Sequence, residues 1–310
     1  MIVNEREQKL DHLALRVTTI TEDWQLAELN NKFAAAGIEW LILKGAALGR
    51  WLYANPTERQ SDDIDILVRY ADLQLAAAVV EADGYRRWWI NRSDAQWQDV
   101  DWHLVYRHAK TGYKMLELHW ELEEAGRDRG KTIDEMFADA REIIYNKKSY
   151  KGLSLIDAFL HAAFHAFRTS DSEMREQWLR DYELLTAQIT IEERWYELFT
   201  AAVQWNCCGE LARALELVRL RGKIGVSAAA AEFITNYSQQ PLADWQERRL
   251  KAALSGWSCA NTWKKTTGLA RMLCPPRERI KLLYPGKPIL YSYCLRWKKW
   301  LEIALNNPKL

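Results

Sequence analysis

At 310 residues the chain is long for one compact domain and comfortable for two. Hydrophobic residues at 48% and charged residues at 27% exclude a disordered chain. The 43 basic residues almost cancel the 42 acidic ones, so a formal charge of +1 gives no global pull toward nucleic acid, and no stable polynucleotide partner is expected.

The five cysteines, Cys207, Cys208, Cys259, Cys274 and Cys294, are odd in number and form no CxxC pair. That argues against a disulfide framework or zinc knuckle and for reduced thiols. The segment Met1 to Glu7 has no apolar signal core. No stretch approaches the roughly 20 apolar residues of a membrane-spanning helix. A cytoplasmic protein is expected.

Leu10, Leu13, Ala14, Val17, Ile20, Trp24 and Ala27 recur at steps of three and four, which predicts a helix over about 6–36, ended at Gly37. Trp40 to Leu43 reads as a short buried strand, Lys44-Gly45 as the turn after it, and Ala46 to Tyr53 as a helix closed by Asn55-Pro56. Ile64 to Val68 is a second strand, and Ala71 to Ala82 a helix stopped at Asp83-Gly84. Three strands follow, Tyr85 to Ile90, Val100 to Tyr106 and Met115 to Trp120, the last two joined by a hairpin turn at Lys110-Thr111-Gly112. Helical patterns dominate from Ile133, most clearly at Asp157 to Arg168, Glu173 to Ile189, Glu192 to Gln204 and Glu210 to Leu220. A proline-containing stretch from Cys274 to Gly286 precedes a last aromatic-basic helix around Ser292 to Leu305. This order predicts an α+β chain: a mixed-sheet domain over 1–128 and an all-α domain over 129–310, with a cleft between them.

The chemistry concentrates in the first part. Asp63 and Asp65 flank one residue inside an apolar run, so on a strand both carboxylates leave the same face. Adjacent carboxylates repel and are hard to keep ionised unless a cation sits between them; a hard, oxygen-liganded dication such as Mg²⁺ suits them. Glu117 alternates with Leu116 and Leu118 and so faces away from the apolar residues. Three convergent carboxylates, Asp63, Asp65 and Glu117, meet the need of a two-metal phosphoryl-transfer site. Gly45 would let the backbone approach a phosphate at a helix N-terminus, with Lys44 and Arg59 adding positive charge. Any piece alone has a plainer reading: a solvated Asp-x-Asp at a strand end, or a glycine that serves the turn.

Leu43-Lys44-Gly45, Arg59, Asp63-Ile64-Asp65-Ile66-Leu67-Val68, Gly84-Tyr85 and Glu117-Leu118-His119-Trp120 together resemble the uncharacterised nucleotidyltransferase family, within the DNA polymerase β-like nucleotidyltransferase superfamily. The resemblance implies that Asp63 and Asp65 are paired metal ligands, Glu117 the third carboxylate and Gly45 part of the phosphate turn. Two departures from the superfamily stand out: Gly45-Ala46 replaces Gly-Ser or Gly-Gly, and Glu117 replaces the commoner Asp. Leu160 to Phe167 and Leu179-Arg180-Asp181-Tyr182 resemble the family's helical segments.

By spacing, Asp157, His161, His165 and Arg168 share a helix face. A zinc site there lacks the glutamate of a metalloprotease helix, which leaves a polar stripe that binds acceptor or nucleotide, or a structural one. Trp88, Trp89, Trp97, Trp102 and Trp120 read as packing, with base stacking as the alternative. The last helix could meet its own domain, a membrane surface or a partner.

The expectation is therefore an Mg²⁺-dependent nucleotidyltransferase with two metal ions. It would move a nucleoside monophosphate from an NTP to a small-molecule, sugar or peptide acceptor and release pyrophosphate. Asp63, Asp65 and Glu117 would hold metal; Lys44, Gly45 and Arg59 would grip phosphates. His119, His161, His165 and Asp181 would support the carboxylates or the acceptor. The alternatives are a sugar-nucleotide-dependent transferase using the same Asp-x-Asp site in natural-product or polysaccharide biosynthesis, and a catalytically silent nucleotide-binding protein.

Overall fold

Helix α1 (Ile2–Ala35) ends beside Gly37, whose φ of 69° lies in the left-handed region that glycine enters without steric cost. The computed structural model describes residues 2–88, 102–110, 112–122, 131–168, 175–240 and 287–306. The apolar repeat of α1 does not mark its buried side: Leu10, Leu13, Val17, Ile20 and Trp24 are exposed, Trp24 at 68%. The buried side carries Gln25, Leu26, Leu29 and Phe33, a second stripe at the same helical spacing. Gln25 donates to Tyr85 Oη and to the Lys114 carbonyl, both at 2.9 Å, which fixes this stripe to the sheet.

The strands are β1 (Trp40–Ile42), β2 (Asp63–Val68), β3 (Tyr85–Arg87), β4 (His103–His108), β5 (Met115–His119), β6 (Arg141–Tyr145) and β7 (Lys148–Gly152). Among the described residues they form one seven-stranded sheet in the order β3-β4-β5-β2-β1-β7-β6. β2 runs parallel to β5 and antiparallel to β1, while β4 and β5 form the expected antiparallel hairpin pair. The sheet is mixed and the class α+β, as the sequence implied. The strand expected over Tyr85 to Ile90 covers Tyr85–Arg87; Trp89 and Trp97 lie outside the described residues.

β6 and β7 are a correction. Both fall after residue 128, where helical patterning was expected, yet Gly152 of β7 pairs with Ile42 of β1 and extends the same sheet. Their composition hid them: Ile144 of the edge strand β6 is 72% exposed, and Lys148-Ser149-Tyr150-Lys151 of β7 carries one buried aromatic.

Short helices α2 (Lys44–Trp51), α3 (Leu73–Ala82) and α4 (Ile133–Ala138) connect these strands. Strand alternation sorts residues to two faces. Trp40 of β1 meets Phe33 of α1 edge-on at 5.9 Å, so even positions of β1 face α1. Leu41, Leu43 and Leu67 point the other way. There they join one core with α5 (Leu155–Arg168), α6 (Glu176–Ile191), α7 (Trp195–Gln204), α8 (Cys208–Arg221) and α9 (Ala228–Tyr237). That face also carries Asp63 and Asp65, four and two residues before Leu67.

Contacts divide the chain into two compact units. The first takes in Met1–Ile90, His103–Leu122 and Asp128–Leu242 and holds the sheet with α1 to α9. The second takes in Asn91–Trp102, Glu123–Arg127 and Ala243–Leu310; its described helix is α10 (Ile289–Asn306), on which Tyr293 lies 6.1 Å from Trp297. The proline-containing stretch, Cys259 and Cys274 lie outside the described residues.

Candidate active site

Parallel pairing of β2 with β5 sets Asp63 opposite Met115 and Asp65 opposite Glu117. Ile64, Ile66, Leu116 and Leu118 are buried on the reverse face, so alternation places the three acids together. One carboxylate oxygen from each of Asp63, Asp65 and Glu117 lies within 4.8 Å of the others.

Burial and the neighbouring charges of Asp65 and Glu117 push the Asp63 carboxyl up to about 7. Burial acts on Asp65 in the same sense, but the Lys44 ammonium and His119 outweigh it and hold Asp65 well below the usual carboxylate range. The cluster is thus short of positive charge on its Asp63 side. An all-oxygen donor set with unbalanced negative charge fits a hard dication.

Lys44, expected at a phosphate, is tied here to the carboxylates. It is the first residue of α2, with φ of 46°, a left-handed conformation uncommon for a side chain of this size. Its Nζ lies 2.7 Å from Asp65 Oδ1 and 3.8 Å from Glu117 Oε2. Burial opposes the ammonium charge, but these two carboxylates outweigh it and raise its pKa. Gly45 sits where α2 approaches the chain before β2: a Cβ there would lie 3.0 Å from Ser61 Cβ and 3.1 Å from Arg59 Nη1.

Arg59 is also held by protein. Its Nε donates to both oxygens of Asp181 at 2.9 and 3.0 Å, and Nη1 donates to the Gln60 carbonyl at 2.6 Å and to Gln177 Oε1 at 3.2 Å. Tyr53 Oη donates to Asp181 Oδ1 at 2.8 Å. Burial raises the Asp181 pKa despite the lowering effects of Arg59 and Tyr53.

His119 is fully buried, with Nε2 2.9 Å from Asp65 Oδ1 and 3.3 Å from Glu117 Oε2. Burial disfavours its charge, but the hydrogen bonds to these carboxylates outweigh it and raise its pKa. His103, directly across the hairpin on β4, stacks on His119 at 4.9 Å.

His161 and His165 line a cavity with Lys44, Trp51, Arg59, Trp178 and Asp181. Burial, with Lys44 nearby, drives the His161 pKa well below its ordinary value, so the imidazole is neutral. Asp157 does not join them. It binds Lys131 at 2.6 Å and Ser154 at 2.8 Å and lines a separate cavity with Arg194 and Glu197. The expected four-residue stripe therefore divides.

Sequence reasoning missed Tyr53, Gln177 and His103. Nothing local marks the first two, since their partners are more than a hundred residues away. His103 carried a signal: on a hairpin turning near 110–112, it is the residue that falls opposite His119.

Fold and sequence together define the class: the chain belongs to the family described as Uncharacterised nucleotidyltransferase, whose profile matches residues 6–222, and it is a nucleotidyltransferase. Among solved structures, it is similar to ANT(2'')-Ia in complex with adenylyl-2''-tobramycin, at 14% identity and a TM-score of 0.44, over 60% of this chain and 99% of that one. A solution structure of the antibiotic-resistance factor ANT(2'')-Ia gives 14% identity and 0.43, over 65% and 98%. An antigenic nucleotidyltransferase-like protein from Paracoccidioides brasiliensis gives 13% and 0.35, over 61% and 92%. No curated protein matches the chain. Among the described residues, no helix is long and apolar enough to cross a membrane.

Proposed function

We propose that this nucleotidyltransferase moves a nucleoside monophosphate from an NTP to a small-molecule, sugar or peptide acceptor, with Mg²⁺ and release of pyrophosphate. The observation that carries this reading is the convergence of Asp63, Asp65 and Glu117 within 4.8 Å on one face of the sheet. Two Mg²⁺ ions held by these residues would supply charge neutralisation at the triphosphate and activation of the acceptor oxygen. The setting we infer is biosynthetic and cytoplasmic.

The chain's own groups have separable tasks. Asp63 and Asp65 orient the nucleotide end of the site from adjacent same-face positions of β2. Asp65 and Glu117 are both candidates for taking the acceptor proton, and Glu117 is the better placed: its side chain is 18% exposed against 3% for Asp65. Lys44, tied to Asp65, holds that carboxylate ionised. α2 presents its free N–H groups beside Gly45, where phosphate oxygens gain from the partial positive charge. Arg59, fixed by Asp181, offers its guanidinium to the same turn. The cavity of His161, His165 and Trp178 has imidazole and indole walls suited to a ring of base or acceptor.

The test is incubation with each labelled NTP, Mg²⁺ and panels of aminated, hydroxylated and peptide acceptors, with pyrophosphate release as the readout. Turnover that disappears in Asp63→Ala and Asp65→Ala supports the proposal. Absence of NTP and Mg²⁺ binding by calorimetry, or turnover untouched by both variants, defeats it. Turnover of sugar nucleotides with release of a nucleoside diphosphate would favour a glycosyl transfer at the same acids instead.

A further inference from the structure

The acidic face continues beyond its three carboxylates. β4 and β5 add two imidazoles, since His103 lies opposite His119 in the hairpin register and His119 lies two residues after Glu117 on the same face. One ligand atom from each of His103, Glu117 and His119 lies within 4.8 Å of the others. Glu117 therefore belongs to two overlapping donor groups: one of oxygen alone, one of nitrogen and oxygen.

We propose that His103, Glu117 and His119 form a mixed imidazole–carboxylate metal position that takes a first-row transition-metal dication such as Mn²⁺, with Glu117 bridging to the oxygen-only position of Asp63 and Asp65. The inference rests on the reading of this face as a cation site and deepens it by naming the metal class. Three features support it.

The separations are near those of a bound ion. Ligands at about 2.1 Å from one metal lie roughly 3 to 3.5 Å apart. His119 Nε2 to Glu117 Oε2 is 3.3 Å, and His103 Nε2 to Glu117 Oε1 is 3.9 Å, so small side-chain rotations close the group. The donor chemistry is selective. Mg²⁺ keeps oxygen ligands and water, whereas imidazole shifts preference toward the transition series. The arm length is also suited: Glu117 directs its two oxygens to different neighbours, Oε1 toward His103 and Oε2 toward His119 and Lys44.

A purely structural account would make His119 a hydrogen-bond donor to Asp65 and leave His103 as its stacking partner. The two accounts separate on whether nitrogen touches metal. Protein stripped with chelator is titrated with Mn²⁺ alone and followed by electron paramagnetic resonance, with pulsed detection of ¹⁴N coupling. The expected result is nitrogen coupling in the wild type. His103→Ala should weaken that coupling and lower the affinity of one Mn²⁺ by about 10- to 100-fold. Asp63→Asn should lower Mn²⁺ affinity at the oxygen-only position and leave the ¹⁴N coupling in place. The wild-type spectrum needs no variant to fold, and His103→Asn provides a second, smaller change. Bound Mn²⁺ without nitrogen coupling, and unaffected by His103→Ala, would overturn the mixed position and leave the carboxylate reading standing. No binding of Mn²⁺ or Mg²⁺ by the wild type would overturn both.

Discussion

Asp63 and Asp65 are the same residue type two positions apart, yet their surroundings drive them in opposite directions. Lys44 and His119 both attend Asp65, while Asp63 has burial and two like charges around it. Folded Asp63 titrates near 7, above its ordinary 3.8, so between those values the native state holds the proton more tightly than the unfolded one. Stability of the metal-free protein therefore falls as pH rises through that window. Asp65, whose pKa is lowered, acts only below its ordinary 3.8 and does not oppose this slope. His119, raised above 6.5, adds the same sign at the upper end. His161, lowered well below 6.5, has the opposite sign and opposes the decline below that value. Thermal melts in EDTA should therefore show their declining Tm from pH 6.5 to 8, saturating Mg²⁺ should lift the alkaline end, and Asp63→Asn should make the slope shallower. A flat profile in the wild type would contradict the charge arrangement.

At the scale of elements, α2 and the chain leading into β2 meet at Gly45. A methyl group there would press on Ser61 and on an Arg59 guanidinium already held by Asp181 and Gln177, so neither neighbour yields readily. Gly45→Ala should cost roughly 1–3 kcal/mol of stability, the range for overpacking, and weaken NTP binding. Chemical denaturation and calorimetric titration would check the two effects; an unchanged Tm would mean that the turn relaxes. Gly45, with Asp63, Asp65 and Glu117, was legible in the sequence because its signals are local: strand alternation fixes a face, and a glycine after a strand marks a turn. β6 and β7 were not legible. Their place depends on one pairing between Ile42 and Gly152, across 110 residues, and the two strands carry too few buried side chains to show a period of two. The helix α1 was legible, but its buried side was not. Its sequence offers two apolar stripes at helical spacing, and tertiary contacts alone select the one through Leu26, Leu29 and Phe33.

Across the whole first unit, the sheet and its helices share one core, and a buried ion pair also joins them: Arg59, on the approach to β2, grips Asp181 of α6 across 122 residues. Both side chains are almost fully buried, Arg59 at 7% and Asp181 at 3% exposure. Removing one partner of a buried pair leaves an uncompensated charge, at a typical cost of 3–5 kcal/mol. Asp181→Leu and Arg59→Met should each cost about that much. The double variant should be less destabilised than their sum, because neither charge is then left alone. Activity distinguishes this tie from a purely structural one. If Asp181 serves the reaction by aiming Arg59 at the triphosphate, the double variant should recover stability while its KM for NTP stays raised. Equal recovery of KM would make the pair a fold element only. Additive losses of stability in the cycle would show that the two charges do not act as a pair, and the apolar core would then dominate what holds these helices to the sheet.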